Sequence, residues 1–482
     1  MASQPLITPG KGIDEAHFAS FSKILLLAGP LIFSQMGVML MQIVDGIFLA
    51  RYSEASIAAI GPAGMSFWLV CGLFIGLAGY TSTFVAQYVG AKRPDRVGAA
   101  LWQGIYIALA AGAILALTSF ASDWLFKLAG HEPQVQQQEV IYFRILCYGG
   151  WSFLLSSALS GFFAGRHDNV PLLVAHLIGA AINAFLNWCL IFGNFGFPEM
   201  GMAGAAWATV TGTVVQVILM GLLLFQPRFA QEFNTWHDWR LDPKLMWRMC
   251  LYGFPNGVRF IVEIAAWTAF LFIIGRVNPH GLAASNIAWR INGMAFFPVI
   301  GLSIAVSMLV GQAQGAGRPD LSRKVTKRGL VIGEVWMVSA AAAMLLFPHS
   351  LLRMFFKAEL SPDEVLVYAM CVKLLWFVAA YSVVDNLNII FMAVLSGAGD
   401  TRWLLLMSGG LHLTFLLAMV IMGSLHAGIY TMWFGAATFI CLVAIAWVWR
   451  FRTGAWETKR VIEHAPPDLH NPAFPGPDAS IS

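Results

Sequence analysis

The chain is short of charge. Only 11% of its 482 residues are Asp, Glu, Lys or Arg, whereas soluble domains contain about 25%. It also lacks the Gly-x-x-x-x-Gly-Lys-Ser/Thr loop that cradles nucleotide phosphates, and no cluster of catalytic residues stands out. Residues 1–22 are polar and no cleavage-type site follows the first apolar run, so no cleavable signal peptide is expected. These absences argue against a soluble enzyme and against an ATP-driven pump.

Cysteine is scarce as well, and none of the cysteines form a close pair. All lie inside or at the edge of apolar segments, so we expect small core residues and neither disulfides nor metal ligands. The six are Cys71, Cys147, Cys189, Cys250, Cys371 and Cys441.

Apolar residues are abundant, at 58% of the chain with a mean hydropathy of +0.71. They form runs of about 20 residues, the length that crosses a bilayer as a helix. No segment shows the period-two alternation of a transmembrane β-barrel. The sequence predicts an all-α polytopic membrane protein with twelve spans. We place them near 23–50, 57–89, 97–122, 139–164, 171–193, 201–226, 246–275, 282–312, 326–347, 363–397, 402–423 and 426–450.

The basic residues predict the orientation. With the N-terminus inside, 20 of the 29 Lys and Arg residues fall on the inner side, six fall outside and three lie in spans. This bias predicts two cytoplasmic termini. The predicted parts are an N-terminal segment 1–22, an N-lobe 23–226, a linker 227–245, a C-lobe 246–450 and a polar, Pro-rich, disordered tail 451–482.

The two halves repeat each other at an offset of 225 positions. The stretch Gln87–Asp95 answers Gln312–Asp320, and each ends in a Gly-Ala-x-Arg-Pro-Asp turn. Pro30 and Pro255 also correspond, and both are candidates for bending their spans. Six spans per repeat is an even number, which predicts two six-helix lobes related by a pseudo-twofold axis along the membrane normal.

Four acidic residues lie within spans: Asp45, Glu263, Glu334 and Asp385. A charge at the bilayer centre costs at least about 2.5–3.5 kcal/mol, so each needs a partner, water or a function. Asp45 shares its predicted depth with Asn187, Asn183 lies one turn below on the same face, and Thr209 lies in span 6. These oxygens suit a monovalent cation or a proton, and the alternative is a hydrogen-bonded helix contact.

The other three acids have different settings. Glu263 has Arg259 one turn earlier, which favours an i, i+4 ion pair. Asp385, with Tyr381 and Asn388, forms a polar stripe that indicates a hydrated cavity. Glu334 is interpreted as structural, held by the basic residues Lys327 and Arg328.

Several motifs resemble those of the multidrug and toxic compound extrusion (MATE) transporters, above all the bacterial NorM-like branch. They are QIVDGIFLAR in span 1, TFVAQYVGAKRPD after span 2, FLNWCLIFGNFGFPEMGMAGAAWATV across spans 5 and 6, VGQAQGAGRPD after span 8 and SGAGDTR after span 10. Together they cover the chain from about residue 20 to residue 450.

The resemblance implies a V of two lobes that exports organic cations in exchange for Na+ or H+ across the bacterial inner membrane, contributing to antibiotic resistance. By motif position, Asp45, Asn183, Asn187 and Thr209 match the N-lobe cation site. Glu263, Tyr381 and Asp385 match the C-lobe cation or substrate site. In some relatives the Asn187 position is an aspartate, so this site has one charge fewer. A Na+ ion is implied at Asp45 or at Glu263 and Asp385.

Two other functions stay open from the sequence. One is a flippase for lipid-linked saccharides, which should present several cationic residues to its cavity; only Arg259, Arg290 and Lys373 lie in spans. The other is a membrane receptor that binds ligand without moving it. For the transporter we expect no catalysis, no cofactor beyond the coupling ion and no nucleic-acid partner. We also expect a monomer in the lipid bilayer. The exported drug and the entering cation should compete for one set of carboxylates.

Overall fold

A computed structural model of the protein describes residues 15–224, 226–356 and 361–463. Within these ranges every regular element is a helix, and eleven helices are long and apolar enough to span a membrane, or twelve when one bent pair counts as a span. The predicted twelve-span fold is therefore confirmed. The spans are Phe21–Tyr52, Glu54–Gly90, Asp95–Thr118, Pro133–Tyr148 with Gly150–Gly165, Asn169–Phe192, Met202–Leu224, Pro243–Val277, Pro279–Gly315, Pro319–Leu346, Pro362–Ala398, Thr401–Ser424 and Ile429–Arg452.

Span 4 is the bent one. Its two helices, Pro133–Tyr148 and Gly150–Gly165, meet at 47°. A side chain at Gly149 would collide with Val210, and one at Gly150 would collide with Leu115. The break therefore lies where neighbouring spans approach the backbone, and the first helix begins at Pro133, earlier than the predicted start at 139.

Matching capping residues start spans 2 and 8, which correspond in the two repeats. The Ser53 side chain accepts a hydrogen bond from the Ser56 N–H, and the Asn278 side chain accepts one from the Gly281 N–H, at 3.1 and 2.8 Å. Such caps satisfy backbone donors that the first helical turn leaves free. Both caps lie 225 positions apart, so the duplication extends to the ends of the helices.

The two lobes meet through spans 1, 2, 7 and 8. A Cβ atom at Gly90 would lie 1.9 Å from the Gln312 carbonyl oxygen, and one at Gly315 would lie 2.0 Å from that of Gln87. These two contacts are one contact repeated by the 225-residue offset. The pseudo-twofold axis passes between them.

A second reciprocal pair lies deeper in the membrane. A Cβ atom at Gly76 would meet the Gly257 backbone at 2.5 Å, and one at Gly301 would meet the Ile32 backbone at 2.6 Å. Positions 76 and 301 correspond in the repeats, as do 32 and 257. Small residues let helix backbones touch in the membrane, and here they join the lobes.

Hydrogen bonds also cross between the lobes at the level of the Gly90 and Gly315 contacts. Gln87 Nε2 donates to the Gly397 carbonyl at 3.1 Å, and Gln312 Nε2 donates to the Gly165 carbonyl at 3.0 Å. Tyr80 adds a bond to the Ser396 carbonyl at 2.8 Å. The lobes are thus closed on the face that carries the two Gly-Ala-x-Arg-Pro-Asp turns, which we call the turn face.

Both described ends of the chain lie on the turn face. Glu15 forms ion pairs with Arg318 and Lys324 beside the second turn. Arg318 and Lys324 hold the pKa of Glu15 below its ordinary value. Arg93, in the first turn, forms an ion pair with Glu463 at 3.1 Å. The ends therefore share one face, as an even number of spans requires.

The linker between the lobes packs on the N-lobe. It contains a short helix, Pro227–Phe233, and Trp102 Nε1 donates to the Thr235 carbonyl at 2.7 Å. The Arg166 guanidinium lies 4.3 Å from the Phe162 ring centroid and 4.4 Å from that of Phe233. Such cation–π contacts anchor the linker to the end of span 4 that lies on the turn face.

The predicted disorder of the tail 451–482 is wrong for residues 451–463. Span 12 continues to Arg452, and the next residues fold back onto the turn face, where Trp456, Val461 and Ile462 are buried. These three apolar side chains pack against the turn face and hold residues 451–463 in place. The prediction failed because it was based on the Pro-rich composition of the whole tail. Residues 464–482 lie outside the described residues.

The six cysteines are free, and four of them are buried, as predicted. Large apolar side chains cover the outside of the bundle; Leu406 and Ile445, for example, are 76% and 64% exposed. Exposed apolar surface of this extent fits a lipid environment.

Gly90→Ala should destabilise the protein. Its Cβ would collide with the Gln312 carbonyl, and overpacking of this kind costs about 1–3 kcal/mol, more than the ~1 kcal/mol by which alanine favours a helix over glycine. We expect a lower thermal unfolding midpoint in detergent. Gly64→Ala lies inside the span 2 helix with nothing within 4 Å of the added Cβ, so this control should keep or slightly raise the midpoint of the parent. Equal midpoints for the two variants would contradict the close lobe contact.

Candidate functional site

Asp45 lies buried inside the N-lobe among spans 1, 5 and 6. Asn187 Nδ2 donates to Asp45 Oδ1 at 2.5 Å, and Thr209 Oγ1 donates to Asp45 Oδ2 at 3.1 Å. Asn183 completes the group, since its Oδ1 accepts from Asn187 at 3.2 Å and its Nδ2 donates to Thr209 at 3.2 Å. The structure brings together the four N-lobe residues singled out in the sequence.

Two glycines bring spans 5 and 6 close enough for this group. A Cβ atom at Gly179 would lie 2.8 Å from the Gly212 carbonyl oxygen, and one at Gly212 would lie 2.8 Å from that of Gly179. Asn183 is one turn beyond Gly179, and Thr209 is three residues before Gly212. The close backbone contact therefore sets Thr209 beside the asparagine pair.

The group offers oxygen atoms without a neutralising cation of its own. Asp45 is 4% exposed, and it takes part in none of the ion pairs among the described residues. Asn187 Oδ1 is buried and has no hydrogen-bond partner. A carboxylate, an amide oxygen and a hydroxyl are hard ligands that suit an alkali cation, and the carboxylate can also take a proton.

Tyr142 was missed in the sequence. It is a buried residue of span 4, next to Thr209 and within electrostatic reach of Asp45. No pattern in span 4 marks it, because a tyrosine in an apolar helix is common in packed cores.

The C-lobe group is divided in two parts. Arg259 Nη1 donates to Glu263 Oε2 at 2.8 Å, the ion pair that the four-residue spacing predicted. Asp385 accepts from Asn388 at 3.1 Å, and Asn388 accepts from Trp447 Nε1 at 2.5 Å. Glu263 lies within electrostatic reach of Asp385, so the two parts form one acidic region with a single arginine.

Tyr381 and His412 border this region. Tyr381 is buried one turn before Asp385, and its ring stacks on Trp433 with centroids 6.5 Å apart. His412 is buried in span 11, where its Nδ1 lies 2.8 Å from the Ser408 carbonyl oxygen, and it is within electrostatic reach of Glu263. A lone histidine in an apolar span was the only sequence signal for it.

Glu334 is held by a partner that the sequence did not suggest. Asn386 Nδ2 donates to Glu334 Oε2 at 2.8 Å, while Arg328 donates to the Ala19 carbonyl at 2.5 Å. The expected pairing with Lys327 and Arg328 is therefore wrong, because Asn386 of span 10 faces the acid directly. Glu334 joins spans 9 and 10.

A cavity of about 280 Å³ lies between the lobes beneath the turn face. Hydroxyl groups, thioethers and one guanidinium line the cavity. The side chain of Asn256, also in the lining, donates to the Gly76 carbonyl at 3.3 Å. Arg259, whose charge is compensated by Glu263, is the cationic lining residue. The polar and sulfur-bearing lining includes Tyr80, Ser82, Thr83, Ser157, Asn256, Arg259, Ser303, Ser307, Met308, Met392 and Ser396.

Pro30 and Pro255 both lie inside continuous helices, Phe21–Tyr52 and Pro243–Val277. Each removes a backbone donor from the span that carries Asp45 or Glu263. Groups of three or more His, Cys, Asp or Glu residues able to hold a metal do not occur in the described ranges. An alkali cation at Asp45 would therefore depend mainly on neutral oxygens.

Comparison with known proteins supports the motif resemblance. The MatE family model matches residues 30–189 and 255–422, which is more than half of the chain. A protein named "Probable multidrug resistance protein NorM" from Pseudomonas putida is 27% identical over 464 residues, covering 92% of this chain and 96% of that protein. A protein of the same name from Burkholderia mallei is 29% identical over 430 residues, covering 88% and 91%.

Solved structures share the fold. One described as the outward-facing conformation of a multidrug resistance MATE family transporter of the MOP superfamily superposes with a TM-score of 0.83 at 20% identity, covering 92% of this chain and 99% of that one. A MOP superfamily transporter from Pyrococcus furiosus, described as having a binding pocket of reverse polarity, also gives 0.83 at 20% identity. With the MatE match to both repeats, the expected resemblance is confirmed, and the chain belongs to the MatE family.

Proposed function

We propose that the protein exports drugs from the bacterial cytoplasm by alternating access, driven by entry of Na+ or H+. The observation that carries the proposal is the buried Asp45 group, a carboxylate surrounded by neutral oxygens with one amide oxygen unpartnered. The names of the curated relatives support multidrug efflux. Both termini and the turn face are then cytoplasmic, in agreement with the bias of Lys and Arg.

The closed turn face corresponds to a state open to the outside. In that state a cation from outside binds at Asp45, or at the Glu263 and Asp385 region. The bound cation neutralises the carboxylate, and an uncompensated charge in the membrane interior costs at least about 2.5–3.5 kcal/mol. Such differential binding is what shifts a two-state equilibrium, here toward the state that faces the cytoplasm.

Burial changes how the drug and the cation compete. Asp45 and Asp385 are 4% and 7% exposed, so in this conformation neither can touch a bulky drug. The side chain of Glu263 is 35% exposed. Direct competition is therefore confined to Glu263 in this state, and the buried carboxylates act through the helices that carry them.

The interlobe cavity is where we place the drug. Met308, Met392 and Phe260 offer adaptable apolar contacts, and hydroxyl groups offer hydrogen bonds. Glu263 and Asp385 do not line this cavity, but together with Arg259 they leave the adjoining C-lobe region with an excess of negative charge, which favours organic cations. Arg259 is the cationic lining residue, and Glu263 compensates its charge. The cavity therefore does not favour the diphosphate of a lipid-linked saccharide.

Purified protein in liposomes should move ethidium against an imposed cation gradient. One sample receives a Na+ gradient and the other a pH gradient, because the Asp45 group accepts either ion. Transport with Na+ alone assigns a metal cation to the carboxylates, and transport with pH alone assigns a proton. Dye movement that depends on neither gradient contradicts the antiport and favours the flippase. Dye binding without counterflow favours the receptor.

Asp45→Asn, Glu263→Gln and Asp385→Asn should each reduce gradient-driven ethidium transport to near the level of empty liposomes. Each removes a carboxylate while keeping nearly the same volume. Glu334→Gln is the matched control, an acid in a span that Asn386 holds for structural reasons, and it should transport like the parent. Parental transport by all three variants would reject the assignment of these sites.

A further inference from the structure

The segment after span 12 folds into a strap across the turn face. We define the terminal strap as residues 454–463. Its base is Trp456, which is fully buried, stacks on Phe451 with ring centroids 5.1 Å apart and donates Nε1 to the Phe451 carbonyl at 2.9 Å. The strap therefore leaves the C-lobe from a fixed point.

The middle of the strap inserts at the pseudo-twofold axis. Val461 is fully buried, and its N–H donates to Gln87 Oε1 at 2.8 Å. The amide nitrogen of the same Gln87 side chain donates to the Gly397 carbonyl. Gln87 is the residue whose backbone meets Gly315 across the axis, so the strap shares its partners with the central lobe contact.

The end of the strap joins the two lobes through one carboxylate. Glu463 accepts from Tyr88 and Arg93 of the N-lobe at 2.8 and 3.1 Å, and Arg96 Nε lies 3.3 Å from it. From the C-lobe, Arg248 donates to the same carboxylate at 2.6 Å, and Arg248 also donates to the Val461 carbonyl. Glu463 thus ties the C-lobe strap to the N-lobe turn.

The charges explain why an acid is needed there. A cavity of about 350 Å³ lies beside the strap, and Lys92, Arg93, Arg318 and Arg460 line it, with Glu463 as the acidic lining residue. Burial raises the pKa of Glu463, but its own backbone N–H, Tyr88, Arg96 and Arg248 outweigh burial and hold the pKa below the ordinary value. Glu463 is therefore ionised at neutral pH and offsets the repulsion between the two basic turns.

We propose that the terminal strap is a clasp that holds the turn face shut, and that Glu463 must release the N-lobe residues Tyr88, Arg93 and Arg96 each time the lobes separate on that face. The bond cannot survive separation, since its partners belong to different lobes. Glu463 is a positioning residue for transport, acting on the balance between two conformations. This inference depends on the alternating access proposed above.

Distance measurements between spin labels test the clasp. Labels at Val170 and Lys327 report on the turn face, since both are exposed and they belong to opposite lobes; the six native cysteines are first replaced by serine or alanine. Glu463→Gln should shift the distance distribution toward longer distances and lower the ethidium transport rate. Glu463→Asp should retain part of the short-distance population.

Glu457→Gln is the matched control, because Glu457 lies in the same strap but pairs with Arg323 of its own lobe. It should leave the distances and the transport rate unchanged. A Glu463→Gln distribution identical to that of the parent would overturn the clasp. Alternating access is judged separately, by whether the parent distances respond to dye, Na+ or pH.

Arg93→Gln tests the clasp from the other lobe and does not alter the strap itself. It should lengthen the distances less than Glu463→Gln, because Tyr88 and Arg96 still hold the carboxylate. Combined with Glu463→Gln it should add little, since residues that share one interaction are not additive. Fully additive shifts would show that Glu463 and Arg93 act independently and would contradict the proposal.

Discussion

The backbone contact between the two repeats at Gly90 and Gly315 is the constraint from which the rest of the structure follows. It leaves no space for a side chain. It also places Gln87 and Gln312 where each can donate to a backbone carbonyl of the opposite lobe. Because the axis relates the two contacts, separating the lobes breaks both at once. Packed interfaces of this kind favour two discrete arrangements over a continuum, which is the physical requirement for a gate.

Closure at this face sorts the charges of the protein into two sets. The ion pairs of Glu15 and Glu463 lie on the turn face, where water can reach them. Asp45 and Asp385 lie inside the lobes and are held mainly by neutral donors. Neutral hydrogen bonds compensate a buried carboxylate only in part. An incompletely compensated carboxylate favours binding of a cation or a proton, and this property is what the proposed transport cycle requires.

The sequence predicted features that depend on composition, spacing and repetition. Span number, the lobes, the Asp45 group and the Glu263–Arg259 pair belong here, because helix geometry links spacing to contact. It did not predict the partner of Glu334 or the position of Glu463. Those depend on which face of span 10 turns toward span 9 and on how a polar tail folds back. Tertiary packing determines both features, and it leaves no periodic pattern in the local sequence.

The duplication did not produce two equal carboxylate groups. The C-lobe position that corresponds to Asp45 is Phe270, which packs with Trp267 and Phe415 at centroid distances of 5.8 and 5.9 Å. Aromatic rings fill the place where Asp45 and its polar partners lie in the N-lobe, while the C-lobe acids lie on spans 7 and 10. The two repeats therefore hold their acids at different positions, on span 1 in the N-lobe and on spans 7 and 10 in the C-lobe. The shared backbone contact at Gly90 and Gly315 links the lobe that holds Asp45 to the lobe that holds Glu263 and Asp385, so movement of one lobe must be matched by the other.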